Sequence, residues 1–213
     1  GEIRQWREHP MESIVAWSTD RNNVIARGPA YYNRIASRKV AQSAGNGVEA
    51  EMQIVPFTSE RASETASLIS RALRAGNVQD YGTDRIERIE REHSAAALLQ
   101  LAEKRDILLA LSGGLVLGTA SLQRKWIYAV FVDPRHHGQG VGRALLQELE
   151  RIAGQRGIQR LGVYSSRSGV GFYQQLGFTV EVAIDSEEHG PLTEMSKLLS
   201  ARRSEVGNCE TPS

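Results

Sequence analysis

The run Trp126-Ile-Tyr-Ala-Val-Phe-Val-Asp-Pro134, followed by Arg135-His-His-Gly-Gln-Gly-Val-Gly-Arg-Ala-Leu145, decides how this chain is read. Trp126–Val132 is an unbroken apolar and aromatic stretch that stops at Asp133-Pro134, which predicts a strand. A run without alternation predicts a central strand covered on both faces. Gly138, Gly140 and Gly142 alternate just before a predicted helix to about Ala153. Its Val141, Leu145, Leu149 and Ile152 recur at the spacing of one helical face. A loop between a strand end and a helix start presents unpaired backbone N–H groups at the positive end of the helix dipole. Glycines carry no Cβ, so an anion can approach that backbone closely, and a pyrophosphate is the natural ligand.

Two common pyrophosphate motifs fail on spacing. The dinucleotide pattern G-x-G-x-x-G needs glycine at position 143 when counted from Gly138, and Arg143 stands there. That pattern also belongs to the first strand of its fold, whereas several predicted strands come earlier here. The G-x-x-x-x-G-K-[ST] pattern is absent.

Outward from this junction, alternating elements predict an α/β protein with a mixed sheet. Met52–Pro56 reads as a strand, and Thr58 or Ser59 as the cap of a helix to about Arg74, with Ala62, Ala66, Ile69 and Leu73 on one face. Thr83–Lys104 reads as one further helix with Ile86, Ile89, Ala96 and Leu99 on its apolar side. Ile107–Leu111 and Leu115–Leu122 make a hairpin around Gly113-Gly114. Leu161–Tyr164 is a strand, and Ser168–Leu176 a short helix capped by Ser168 and stopped by Gly177. Phe178–Ile184 and Leu192–Leu199 close the domain as strands. The expected order is β-α-α-β-β-β-α-β-α-β-β. Residues 1–48 show no sustained period and end in the linker-like Ala41-Gln-Ser-Ala-Gly-Asn-Gly47. They are expected to be a poorly ordered extension, with the domain proper at 49–200 and a polar tail at 201–213.

Composition excludes several classes. Among 213 residues, 26 Lys and Arg face 25 Asp and Glu, so the balance gives no support for nucleic-acid or anionic-membrane binding. The longest uncharged run, Ile107–Gln123, is broken by Ser112-Gly113-Gly114 and reads as a hairpin, not a membrane span. Gly1–Asp20 lacks a charged start followed by an apolar core, so no secretory leader is expected. The single cysteine, Cys209, excludes an internal disulfide and a cysteine zinc site, and suits a reducing, cytoplasmic setting. Nothing decides between a monomer and a homo-oligomer.

Three segments, in order, resemble the GNAT superfamily of N-acetyltransferases. Val130-Phe-Val-Asp-Pro134 is similar to the strand end before the family's cofactor loop. His137-Gly-Gln-Gly-Val-Gly142 is similar to its [Q/R]-x-x-G-x-[G/A] motif. Gly171-Phe-Tyr-Gln-Gln-Leu-Gly-Phe178 is similar to its FYxxLGF segment. The likeness covers about residues 51–200. His137 departs from the usual Gln or Arg, but the loop's N–H groups matter more than that side chain. The run Arg135-His136-His137 is read as a solvated loop, since adjacent histidines diverge and no third ligand is evident; no metal is expected.

The resemblance implies acetyl-CoA as co-substrate. Its pyrophosphate would lie on His137, Gly138, Gln139, Gly140, Val141 and Gly142. Its pantetheine arm would pair with the backbone of Val130 and Val132 at a splay between strands 126–132 and 161–164. It further implies direct attack by an amine, with Tyr173 at the family's general-acid position. An unperturbed phenol, with a pKa of about 10, is protonated at neutral pH and can donate. Taken alone, a tyrosine on a short apolar helix more often packs in the core. No general base is legible: Glu181, Glu187, Glu188, His189 and Glu194 read individually as surface residues, and a water relay is an equal alternative. The expected acceptor is an amine of a small molecule or of a protein. The competing class is a non-catalytic acyl-CoA-binding module.

Overall fold

A computed structural model describes residues 38–40, 51–76, 82–186 and 190–199. The strands are β1 (Arg38–Val40), β2 (Met52–Pro56), β3 (Asp106–Ser112), β4 (Leu115–Gln123), β5 (Trp126–Val132), β6 (Arg160–Ser165), β7 (Thr179–Ser186) and β8 (Gly190–Leu198). The helices are α1 (Ala62–Gly76), α2 (Thr83–Glu92), α3 (Ala95–Ala102), α4 (Val141–Gln155) and α5 (Val170–Gln175). One eight-stranded sheet runs β1-β2-β3-β4-β5-β6-β8-β7. Every neighbouring pair is antiparallel except β5 and β6, which are parallel. Among the described residues, no helix is long and apolar enough to cross a membrane.

The sheet separates two cores. On one face, the predicted stripe Val141, Leu145, Leu149 and Ile152 of α4 is buried against Leu108, Ala120, Ile127 and Val163. Burying side chains of this size contributes about 1.5–3 kcal/mol each. On the other face, Leu68, Ile69 and Leu73 of α1 pack with Ile86, Leu98, Leu109 and Val116. Polar clamps fix the register of this second layer. Glu64 accepts the Val116 N–H at 2.8 Å, and Arg61 donates to the Gly114 carbonyl at 2.7 Å, tying the start of α1 to the β3–β4 hairpin.

Four local expectations are corrected. First, Arg38–Val40 lies inside the expected extension yet pairs with Met52–Ile54 as an edge strand. Backbone pairing at a sheet edge needs no side-chain period, so three residues leave no pattern to read. The rest of that extension, residues 1–37 and 41–48, and the tail 201–213 lie outside the described residues.

Second, the predicted helix Thr83–Lys104 is two helices. Ser94 adopts an extended conformation and its side chain accepts from the Ala97 N–H at 3.4 Å, starting α3 afresh. The break resets the helical phase, so Leu98 is buried while Ala96 and Leu99 face solvent. Third, neither Thr58 nor Ser168 caps a helix. A 3-10 turn precedes α1 at Ser59–Arg61 and α5 at Arg167–Gly169, without a side-chain cap bond. Fourth, β5 is central in order but not covered on both faces: within it only Ile127 is buried. The strands β7 and β8, by contrast, start and end within two residues of expectation.

Candidate active site

The partial burial of β5 has a geometric cause. Its parallel pairing with β6 consists of Trp126↔Gly162 and Ile127↔Val163, and then stops. Beyond Ile127 the strands diverge, and the expected splay lies at that point. On its other side β5 stays paired with β4, with an irregularity. Thr119 faces Phe131 and Ser121 faces Tyr128, so Ala120 stands opposite both Ala129 and Val130. Ala129 takes up the extra residue at φ 50°, a conformation a residue with a side chain seldom adopts outside such a bulge.

The bulge sets which backbone groups face the splay. The Asp133 N–H donates to the Leu117 carbonyl at 2.9 Å, toward β4. Backbone direction alternates along a strand. The N–H and C=O groups of Val130 and Val132 therefore point away from β4, toward the opening. The His137 Nε2–H donates to the Val132 carbonyl at 3.1 Å, so its ring ties the strand end to the loop.

The glycine loop closes the wide end of this opening. Gly140 precedes α4 at φ 81° and ψ 0°, and a Cβ there would meet open space. Only glycine holds this backbone without strain, and the space above it is free for an anion. The first α4 N–H to find an acceptor along the helix is that of Ala144, to Gly140 at 2.9 Å. The N–H groups of Val141, Gly142 and Arg143 thus stand at the uncapped, positive end of the helix. Gly142 serves differently: a Cβ there would lie 3.0 Å from the Phe172 ring, so its hydrogen lets α5 pack against the start of α4. The Gln139 side chain folds back and donates to the Arg135 carbonyl at 3.2 Å.

Asp133 anchors this loop. It is buried and accepts from the Arg135 backbone at 3.0 Å, from the Arg135 guanidinium at 2.8 Å and from Arg71 of α1 at 2.9 Å. The Arg135 guanidinium above all, with its backbone N–H and Arg71, holds the Asp133 carboxyl well below the usual carboxylate range. Nothing in the sequence patterning marked Arg71 as part of this site.

Tyr173 is buried on α5, with its ring edge-on to Phe172 at 5.1 Å and to Phe178 at 5.6 Å. Phe172 in turn faces the Gly142 backbone, so α5 flanks the loop. Of the acids weighed as bases, Glu181 is bound by Arg160 and the Ser196 hydroxyl. Glu194 sits on β8 directly opposite Tyr164. Glu187, Glu188 and His189 lie outside the described residues. Among the described residues, no three His, Cys, Asp or Glu side chains are grouped to hold a metal ion.

Comparison with known proteins identifies this arrangement. The acetyltransferase (GNAT) domain profile matches residues 77–199, more than half of the chain. The GCN5-related N-acetyltransferase 2 of Arabidopsis thaliana, a chloroplastic protein, is 42% identical over 55 residues, covering 26% of this chain and 21% of that protein. The glucosamine 6-phosphate N-acetyltransferase of Trypanosoma brucei brucei is 36% identical over 30% of this chain and 52% of its own. The chain thus spans about half or less of these curated relatives. A GCN5-related N-acetyltransferase of Rhodopseudomonas palustris superposes with a TM-score of 0.64 at 25% identity, over 73% of this chain and 100% of that one. An N-acetyltransferase of Thermoplasma acidophilum, solved with coenzyme A, shares the fold with a TM-score of 0.60 at 22% identity, over 69% of this chain and 98% of that one. With its profile, its sheet and its splayed central strands in agreement, the chain belongs to the GNAT family of acetyltransferases.

Proposed function

We propose that this chain transfers an acetyl group from acetyl-CoA to a primary amine of a small molecule, by direct attack of the amine on the thioester. The observation that carries the reading is the parallel β5–β6 pair that parts after two residues beside an uncapped helix start. The gap offers the β5 strand edge, including the Val132 N–H, and the helix start offers N–H donors for phosphate. That a Thermoplasma N-acetyltransferase of the same fold was solved with coenzyme A supports acetyl-CoA as the co-substrate.

The residues present fit such a co-substrate. Gly140 leaves its backbone open to the pyrophosphate, and the N–H groups of Val141, Gly142 and Arg143 supply the donors. The Val130 backbone and the Val132 N–H face where the pantetheine arm would pair. When bound, the thioester supplies an acetyl group activated toward amines. A main-chain N–H of the β5 edge is the proposed donor to the carbonyl oxygen as negative charge develops on it. In the balanced reaction the amine nitrogen forms the new C–N bond as the C–S bond breaks. A primary amine arrives protonated at neutral pH, so its nitrogen gives up two protons in all: one passes to solvent before attack and one leaves as the C–N bond forms, while the departing sulfur gains one. Tyr173 is the proposed donor of that proton.

Acetyl-CoA consumption with a panel of primary amines, followed by release of free thiol, tests the reading. Amine-dependent thiol release is the expected result. Tight acetyl-CoA binding with no turnover on any amine would return the chain to the class of acyl-CoA-binding modules.

A further inference from the structure

The splay has two faces, and only one can admit an acceptor. On the α4 side, Ile127, Val163, Tyr173 and Phe178 fill the space in one continuous core. On the opposite side, just where β5 and β6 part, the strands present half-buried aromatic rings. Trp126 lies over Gly162, where a Cβ would come within 2.4 Å of the indole, and stacks on Tyr164 at 4.8 Å. Tyr128, two residues on from Trp126, points to the same face and carries the Arg105 guanidinium on its ring at 4.2 Å. Directly across from Tyr164 on β8, and so on the same face, stands Glu194.

Among the described residues, the charges here are unevenly satisfied. Arg105 is buried and donates to Gln123 at 3.2 Å. Arg160 and Glu181 neutralise one another. Glu194 has no cation paired with it. Burial, then the Glu194 carboxylate and Tyr128, push the Tyr164 hydroxyl up to about 12, so it stays a neutral ring beside a lone acid. A carboxylate opposite a tyrosine ring is suited to an ammonium group, through charge and ring quadrupole together, and is unsuited to phosphate.

Resting on the acetyltransferase reading, we propose that Glu194, with Tyr164, forms the acceptor subsite, and that it selects monocationic primary amines lacking phosphate or carboxylate. Glu194 holds the incoming ammonium at the parting of β5 and β6, which is where the arm entering from the glycine loop must end.

The test uses the full chain at saturating acetyl-CoA with two probes, 2-phenylethylamine and glucosamine 6-phosphate. The wild type should show the higher kcat/KM on phenylethylamine. Glu194→Gln should raise the KM for phenylethylamine by about 10- to 100-fold, the range of a lost charge-assisted contact, with the KM for acetyl-CoA unchanged. Glu194→Lys should shift preference toward the phosphate-bearing amine; if that variant fails to fold, Glu194→Gln decides alone. Turnover with an unchanged amine KM in Glu194→Gln, or a wild type that prefers glucosamine 6-phosphate, overturns the subsite while leaving the acetyltransferase reading intact. Turnover on neither probe nor any panel amine overturns both.

Discussion

The two ends of the β5–β6 opening are built from different materials. At the loop end, the proposed recognition of the co-substrate rests on main chain: a left-handed Gly140, an uncapped α4 and the strand edge at Val130 and Val132. At the closed end, the proposed acceptor subsite rests on side chains from β6 and β8, namely Tyr164 and Glu194. A backbone cradle reads a shape and charge common to every acyl-CoA and tolerates most changes of side chain. A side-chain cluster reads one acceptor and can be rewritten by single substitutions. The family keeps one donor with many acceptors, and this division of labour is a physical reason it can.

The largest effect that would break this contrast is at Gly140. Replacing it by valine forces a branched side chain to φ 81° and fills the open space above the loop. Calorimetry with acetyl-CoA should find no measurable binding in a variant that still melts cooperatively. Retained affinity would show that the cradle lies elsewhere.

Tyr173 probes the chemistry between the two ends. Tyr173→Phe keeps the ring among Phe172 and Phe178 and removes only the hydroxyl. Turnover at saturating acetyl-CoA should fall by roughly 10²–10⁴, with acetyl-CoA affinity much less changed. A two- to tenfold loss, about the worth of one neutral hydrogen bond at 0.5–1.5 kcal/mol, would mean that the hydroxyl only orients the sulfur. No loss, with chemistry shown to be rate-limiting, would return the residue to the core.

Asp133 sharpens the comparison by asking how firmly the backbone end is held. Its folded pKa is depressed, chiefly by Arg135. Its contribution to stability is therefore complete above the ordinary carboxylate value of about 4 and drains as pH falls below it toward the folded value. Asp133→Asn should lower stability at neutral pH by about 1–3 kcal/mol and flatten the acid limb of the stability curve. Its KM for acetyl-CoA should rise more than its KM for the amine. Melting temperatures between pH 2 and 7, for both proteins, check the first two outcomes.

The smallest expected effect lies far from the opening, at β1. A chain starting at residue 49 should be less stable than one starting at 35 by about 1 kcal/mol, the scale of the few edge hydrogen bonds lost with Arg38–Val40. Acetyl-CoA affinity should be equal in the two. A change in affinity would tie the cofactor end to the sheet edge and blur the division drawn above.

Legibility in the sequence followed the same division. The loop end was readable because its determinants are local: alternating glycines, a helix with one apolar face and a strand stopped at Asp133-Pro134, all within thirty residues. The motif around Tyr173 lies close behind. What stayed hidden was set by interactions across long stretches of chain, or by backbone pairing indifferent to side chains. The helix break at His93-Ser94 turned on a cap that competes with an otherwise continuous helical pattern. The apolar run of β5 promised burial on both faces, but its partner β6 leaves it after two residues.

By itself, then, the amino-acid sequence determined the order of most elements, the faces of α1 and α4, the hairpin at Gly113-Gly114 and the glycine-rich junction between β5 and α4. Each depends on residues a few positions apart, where side-chain period and glycine chemistry act directly. Only the tertiary structure decided that Arg71 reaches Asp133, that α5 packs on the start of α4, and that Tyr128, Tyr164 and Glu194 share a face. Glu194 joins that face because β8 inserts between β6 and β7 in the sheet, and a strand's lateral neighbour is chosen by the packing of the whole fold.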